Sequence, residues 1–134
     1  MAVDYNILLA QHILDRYDTE FPAGSLLRIY TGAAPGSADS AATGTKLAEI
    51  VTPASPFNAA DSGNPTTTKT KNGTWSTTGL AAGNAGYYRL VNAAATIVEQ
   101  GTVTATGGGG DVTVDNVSIA VGQPVVVNSF SKTL

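Results

Sequence analysis

From residue 25 onward the chain never runs long without a turn signal. Short runs rich in Thr, Val and Ile alternate with Gly, Pro and Asn-Gly breaks down to the last residue. That punctuation restricts the fold to many short strands packed as a sandwich or barrel. Runs fall at 26–31, 45–52, 66–71, 74–78, 87–91, 96–104, 111–114 with 117–119, and 125–133. Asn72-Gly73 between two Thr-rich runs predicts a hairpin joining 66–71 to 74–78, since both residues of such a turn take positive φ. A second local hairpin joins 87–91 to 96–104. Residues 83–86 are read as a turn, and residues 32–44 and 53–65 as loops. The expectation is a mainly β fold, a two-sheet jelly-roll-like or Greek-key β-sandwich of about eight short strands.

One segment departs from this pattern. Val3, Ile7, Ala10, Leu14 and Tyr17 recur at spacings of four, three, four and three, which is one face of a helix over 3–17. Leu9 and Ile13 widen that face, and Pro22 and Gly24 stop the helix. The stripe must be covered by an edge or open end of the sheets, or by a partner. The 134 residues make one domain, 1–134, with the helix at 3–17 and the sandwich at 25–134.

Composition removes several function classes. There is no cysteine and a single histidine, His12. Disulfide scaffolds, Cys-based metal sites, thiol catalysis and multi-His sites are therefore excluded. Ala, Thr, Gly and Ser supply 62 of the 134 residues, and charged residues only 13%. The net charge of −3 resides in the first twenty residues, and no basic footprint for nucleic acid exists. The longest purely apolar run, 7–10, is too short to span a membrane, and no positively charged leader precedes an apolar stretch. Synthesis in a cytosol is expected, with neither nucleic acid nor membrane as a partner.

No catalytic pattern stands out. A serine triad would need His12 as its base, and no G-x-S-x-G element is present. The run Gly107–Gly110 lacks the Lys-Ser/Thr and the following helix of a phosphate loop, and is read as a mobile or sharply bent hairpin loop. Asp111, Asp115 and Asn116 match no calcium-loop spacing and are read as turn caps. Glu49 and Glu99 sit in strands and would have to meet across a cleft to act as a glycosidase pair. Trp75, Tyr87 and Tyr88, with Tyr30, Phe57 and Phe130, are the large aromatics of the β region. They are read as core anchors, with a sugar-binding platform as the alternative. No cofactor and no metal is expected.

Four stretches resemble a family of small virion proteins of tailed bacteriophages. They are 27–44 (LRIYTGAAPGSADSAATG), 71–76 (KNGTWS), 85–89 (AGYYR) and 101–116 (GTVTATGGGGDVTVDN). The last is followed by Ser118-Ile119, Gly122-Gln123 and a strand reaching Ser129-Phe130. In size and layout the chain is similar to the jelly-roll capsid cement, or decoration, proteins. That resemblance implies a protein synthesised in a bacterial host's cytoplasm that sits on the capsid surface of the virion. There it would bridge neighbouring major capsid proteins as a small homo-oligomer, a homodimer before a trimer. It implies no catalytic residue. It makes the helix stripe, Val3, Ile7, Ala10, Leu14 and Tyr17, a candidate subunit interface. The alternatives are a tail, neck or fibre-associated virion domain and a surface carbohydrate-binding module.

Overall fold

The computed structural model describes residues 4–134. It contains one helix, α1 (Ile7–Glu20), and nine strands: β1 (Leu26–Thr31), β2 (Lys46–Val51), β3 (Thr68–Thr70), β4 (Trp75–Thr78), β5 (Gly83–Val91), β6 (Val98–Ala105), β7 (Val112–Val114), β8 (Ser118–Ile119) and β9 (Pro124–Thr133). The helix starts later and ends later than its apolar spacing predicts. Asn6 fixes the start, because its side-chain oxygen accepts the Leu9 N–H at 2.9 Å. Pro22 sets the end, and the Phe21 N–H closes the last turn on the Tyr17 carbonyl. Val3 lies outside the described residues.

The strands form one hydrogen-bonded path in the order β2-β1-β5-β6-β7-β9-β3, with β4 also on β9 and β8 on β5. This mixed sheet curls so that its two halves enclose one core, a sandwich-like, mainly β fold. Alternation along the strands fills that core. Leu27, Ile29, Ile50, Tyr88 and Leu90 come from one half, and Val112, Val114, Val125, Val127 and Phe130 from the other. Trp75 and Phe130 meet at 5.5 Å between ring centres, and Phe57 meets Trp75 edge-on at 5.6 Å. The buried Trp75 indole donates to the Asn72 carbonyl at 3.1 Å.

Three turn readings are corrected. The Asn72-Gly73 segment is not a hairpin turn. Only Gly73 of the pair takes positive φ (74°), and β3 and β4 pair with successive stretches of β9, at Thr68↔Thr133 and Trp75↔Val127. The ten-residue β9 offers both runs more partners than they offer each other. Residues 83–86 are strand rather than turn. A Cβ at Gly86 would lie 1.9 Å from the Gly32 carbonyl oxygen, beside the register shift at Tyr30/Thr31. These glycines allow two backbones to approach at a bulge.

The run Gly107–Gly110 is bent but joins parallel strands, since β6 pairs with β7 from Val103↔Val112 to Ala105↔Val114. Parallel neighbours ordinarily need a crossover of about a dozen residues or more. Here the chain doubles back at once. Gly107 and Gly109 supply left-handed φ (88° and 81°), while Gly108 and Gly110 lie against Thr104 where any Cβ would come within 3.0 Å.

Candidate functional site

Three of the stripe residues face the chain's own β region. Ala10 and Leu14 are buried, and Tyr17 packs edge-on against Phe57 at 5.8 Å. Burial of a Leu-sized side chain contributes roughly 2 kcal/mol, so the helix is held by its own domain. Ile7 is half-buried. Ala10 and Leu14 are therefore covered within one chain and are not free to meet a second copy. The reading that the stripe covers the sheets describes their packing.

Polar contacts reinforce the docking at two places. The first is Lys69 on β3, whose ammonium is buried. It donates to Asp15 Oδ1 at 2.7 Å, Asp18 Oδ2 at 3.1 Å and the Asn58 carbonyl at 2.9 Å. Partial burial works against the Asp15 charge. The Lys69 ammonium and the Ala60 N–H outweigh it and hold that carboxyl below the usual carboxylate range.

The second is Glu99 on β6, which accepts from the hydroxyls of both Tyr17 and Tyr88. Lys132 Nζ lies 2.9 Å from Glu99 and 2.8 Å from the Tyr88 oxygen. Burial, and then the Glu99 charge, push both phenols well above their ordinary range, so both remain neutral donors. The cluster ties α1, β5, β6 and β9 together.

The outer side of the helix is different. Leu8, Leu9 and Ile13 are 59%, 48% and 41% exposed, and Ile97 from the β5–β6 connection is 38% exposed. Between α1 and the start of β6 runs an open groove of about 480 Å³, with Ile13, Phe21, Ile97 and Val98 as its apolar lining and Arg16 and Glu20 on its helix side. Leu9 and Ile13 were expected to widen the buried face, yet they project outward. Leu9 and Ile13, four residues apart on one face and offset from 10, 14 and 17, are the sequence signal for this surface. Leu8 lies on another side of the helix, beside Asn64, Pro65 and Thr67.

The other candidate residues are dispersed. Glu49 is bonded by Arg28 at 2.9 Å and Lys46 at 3.0 Å, and shares no partner with Glu99. His12 is exposed on the helix. Asp111 accepts from the Thr102 N–H, Asp115 from the Asn116 N–H, and Asn116 from the Ser118 N–H. Among the described residues, no group of three or more His, Asp or Glu is placed to hold a metal ion. Trp75, Tyr87 and Tyr88 are at most 1% exposed, so they present no platform to a sugar. Two buried cations, Lys69 and Arg89, gave no signal in the sequence. Their strands carry Thr and Tyr neighbours of either polarity, and nothing local marks which residue turns inward.

Comparison of the chain with protein-family models, with curated proteins and with solved structures finds no match.

Proposed function

We propose that this chain is a structural protein of a bacteriophage particle, a cement subunit on the outer face of an icosahedral capsid. It would link neighbouring major capsid proteins and act as a homodimer, with a trimer as the alternative. The observation that carries the reading is the uncovered apolar surface of Leu9, Ile13 and Ile97 at the α1–β6 groove. Contiguous exposed side chains of this kind are what a contact surface needs. The low charge of the chain supports the same reading, since interface cores are depleted in charge. The order of the motifs quoted above supplies the phage context. The mechanism is linkage: a subunit that binds only the mature shell stabilises it by its binding free energy, repeated at every site.

Copy number per purified particle tests this reading directly. About one copy per capsid subunit is the expected result for a repeating clamp. A few copies per hundred capsid subunits would move the protein to the tail or neck and overturn the cement role. Ile13→Lys tests the surface: it should abolish decoration of shells while leaving the unfolding midpoint unchanged. Full decoration by that variant would remove the groove from the contact.

A further inference from the structure

The sequence has three arginines, and two of them have an acid. Arg16 pairs with Glu20 and Arg28 with Glu49, each at 2.9 Å. Arg89, the most buried at 7% exposure, has no carboxylate within ion-pair distance among the described residues. Its Nη2 donates to the Gln100 side-chain oxygen at 3.1 Å and to the Ser37 carbonyl at a long 3.4 Å. Its Nε is buried without any partner. A guanidinium taken out of water and met only by neutral groups is an unbalanced arrangement. The surroundings sharpen the imbalance. Arg28 lies directly beside Arg89 across the β1–β5 pair, and Glu49 is shared between Arg28 and Lys46. Three cations thus stand against one strand-borne acid.

The cover over Arg89 is a loop with a pivot at each end. Residues 33–43 run between Gly32 and Gly44, which hold φ of 80° and 77°. Apart from the long Arg89 contact to Ser37, the loop is fastened in this region by neutral hydrogen bonds. Gln100 Nε2 donates to the Pro35 carbonyl at 2.8 Å, and the Tyr87 hydroxyl donates to the Thr43 carbonyl at 2.6 Å. Gln100 and Ala38 of the loop also line the α1–β6 groove, so the guanidinium lies one side chain behind an open surface.

We propose that Arg89 is a receptor for a carboxylate, admitted when the 33–43 loop lifts. The free Nε–H and the weakly held Nη2 lie on one edge of the guanidinium. That edge offers two parallel donors, the geometry that a planar carboxylate accepts in bidentate fashion. A bound carboxylate replaces the 3.4 Å contact to Ser37 and neutralises the excess charge of the face. The site stands independently of the capsid reading.

The test follows the arginine Nε–H resonances of the full chain by NMR during titration with sodium acetate, against sodium chloride at matched ionic strength. The Arg89 signal should move saturably with acetate, while the Arg28 signal stays fixed. Arg89→Lys keeps the charge but not the fork, and should weaken the acetate response of the loop amides by about tenfold. A capped tripeptide with a central Glu, used in place of acetate, distinguishes the sources. Tighter binding than acetate indicates a side chain of another protein, and equal binding a free small acid; both uphold the receptor. An equal response to chloride means an adventitious ion only and overturns it, as does no response at all. Asp39 in the loop is exposed and supplies the internal control. If Asp39→Asn alone shifts the Arg89 signal, the partner is the chain's own acid and the proposal fails.

Discussion

Under α1, the Lys69 ammonium meets two carboxylates and a carbonyl, so all three of its N–H groups have acceptors. Under the 33–43 loop, the Arg89 guanidinium meets one neutral amide and one distant carbonyl, with a buried N–H to spare. Both are cations on strands, 1% and 7% exposed. The element above Lys69 is a helix locked by its acids. The element above Arg89 is a loop with glycine ends. A buried charge that is fully matched fixes the structure over it, whereas one left unmatched makes that structure the place where the molecule can open.

Lys69→Met should show the largest effect of this contrast. Breaking a buried ion pair by removing one partner costs roughly 3–5 kcal/mol. Asp15 and Asp18 are 38% and 50% exposed and regain water, so the expected loss is at the lower end, about 3 kcal/mol. Urea unfolding at neutral pH measures it, and a loss below about 1 kcal/mol would show that Lys69 is not what locks the helix.

The loop's pivots come next. An added Cβ at Gly44 would lie 2.4 Å from the Thr31 carbonyl oxygen, and at Gly32 would meet nothing within 4 Å. Gly44→Ala therefore adds a backbone clash to the strain of positive φ and should cost about 2 kcal/mol, against about 1 kcal/mol for Gly32→Ala. Thermal melts of the two variants rank them, and equal shifts would mean that the Gly44 backbone yields.

Acid separates the two cations without mutating either. Asp15 titrates below its unfolded value in the folded state, so its stabilising contribution is complete above the ordinary Asp range. That contribution is lost as pH falls through the folded value. Asp15→Asn should flatten this part of the stability–pH curve and leave the 33–43 loop unaffected. A full acid dependence in the variant would assign the sensitivity to other carboxylates.

How much of this contrast was legible beforehand depends on which link is asked about. Hydrophobic periodicity identified Ala10, Leu14 and Tyr17 as one face, because burial imposes the helical repeat whatever does the burying. It could not say what covers the face, since a sheet of the same chain and a second copy require the same pattern. Strand positions were legible because the pleat alternates polarity. Pairing was less so: Asn72-Gly73 is a local hairpin signal, and β9, fifty residues later, outbids it. The return at Gly107–Gly110 had the right residues for a bend, but its parallel outcome depends on Val112 finding Val103. Lys69 and Arg89 lie deepest in this class. Their partners stand fifty-four residues away at Asp15 and eleven away at Gln100, distances at which no spacing rule operates.

The smallest expected effect is the most diagnostic. Arg89→Met replaces an unmatched buried charge with an apolar chain of similar reach, while Gln100 keeps its bond to Pro35 and Tyr87 its bond to Thr43. Exchanging such a charge for an apolar group is often neutral or stabilising. The expected change in unfolding free energy is within about 1 kcal/mol of zero. Paired with the loss at Lys69→Met, this sets two buried cations at opposite ends of the stability scale. A loss of about 3 kcal/mol at Arg89→Met would mean that the guanidinium is balanced in solution by an acid of the same chain. Asp39, within the loop, would then be its partner, and the Asp39→Asn variant should lose the same amount.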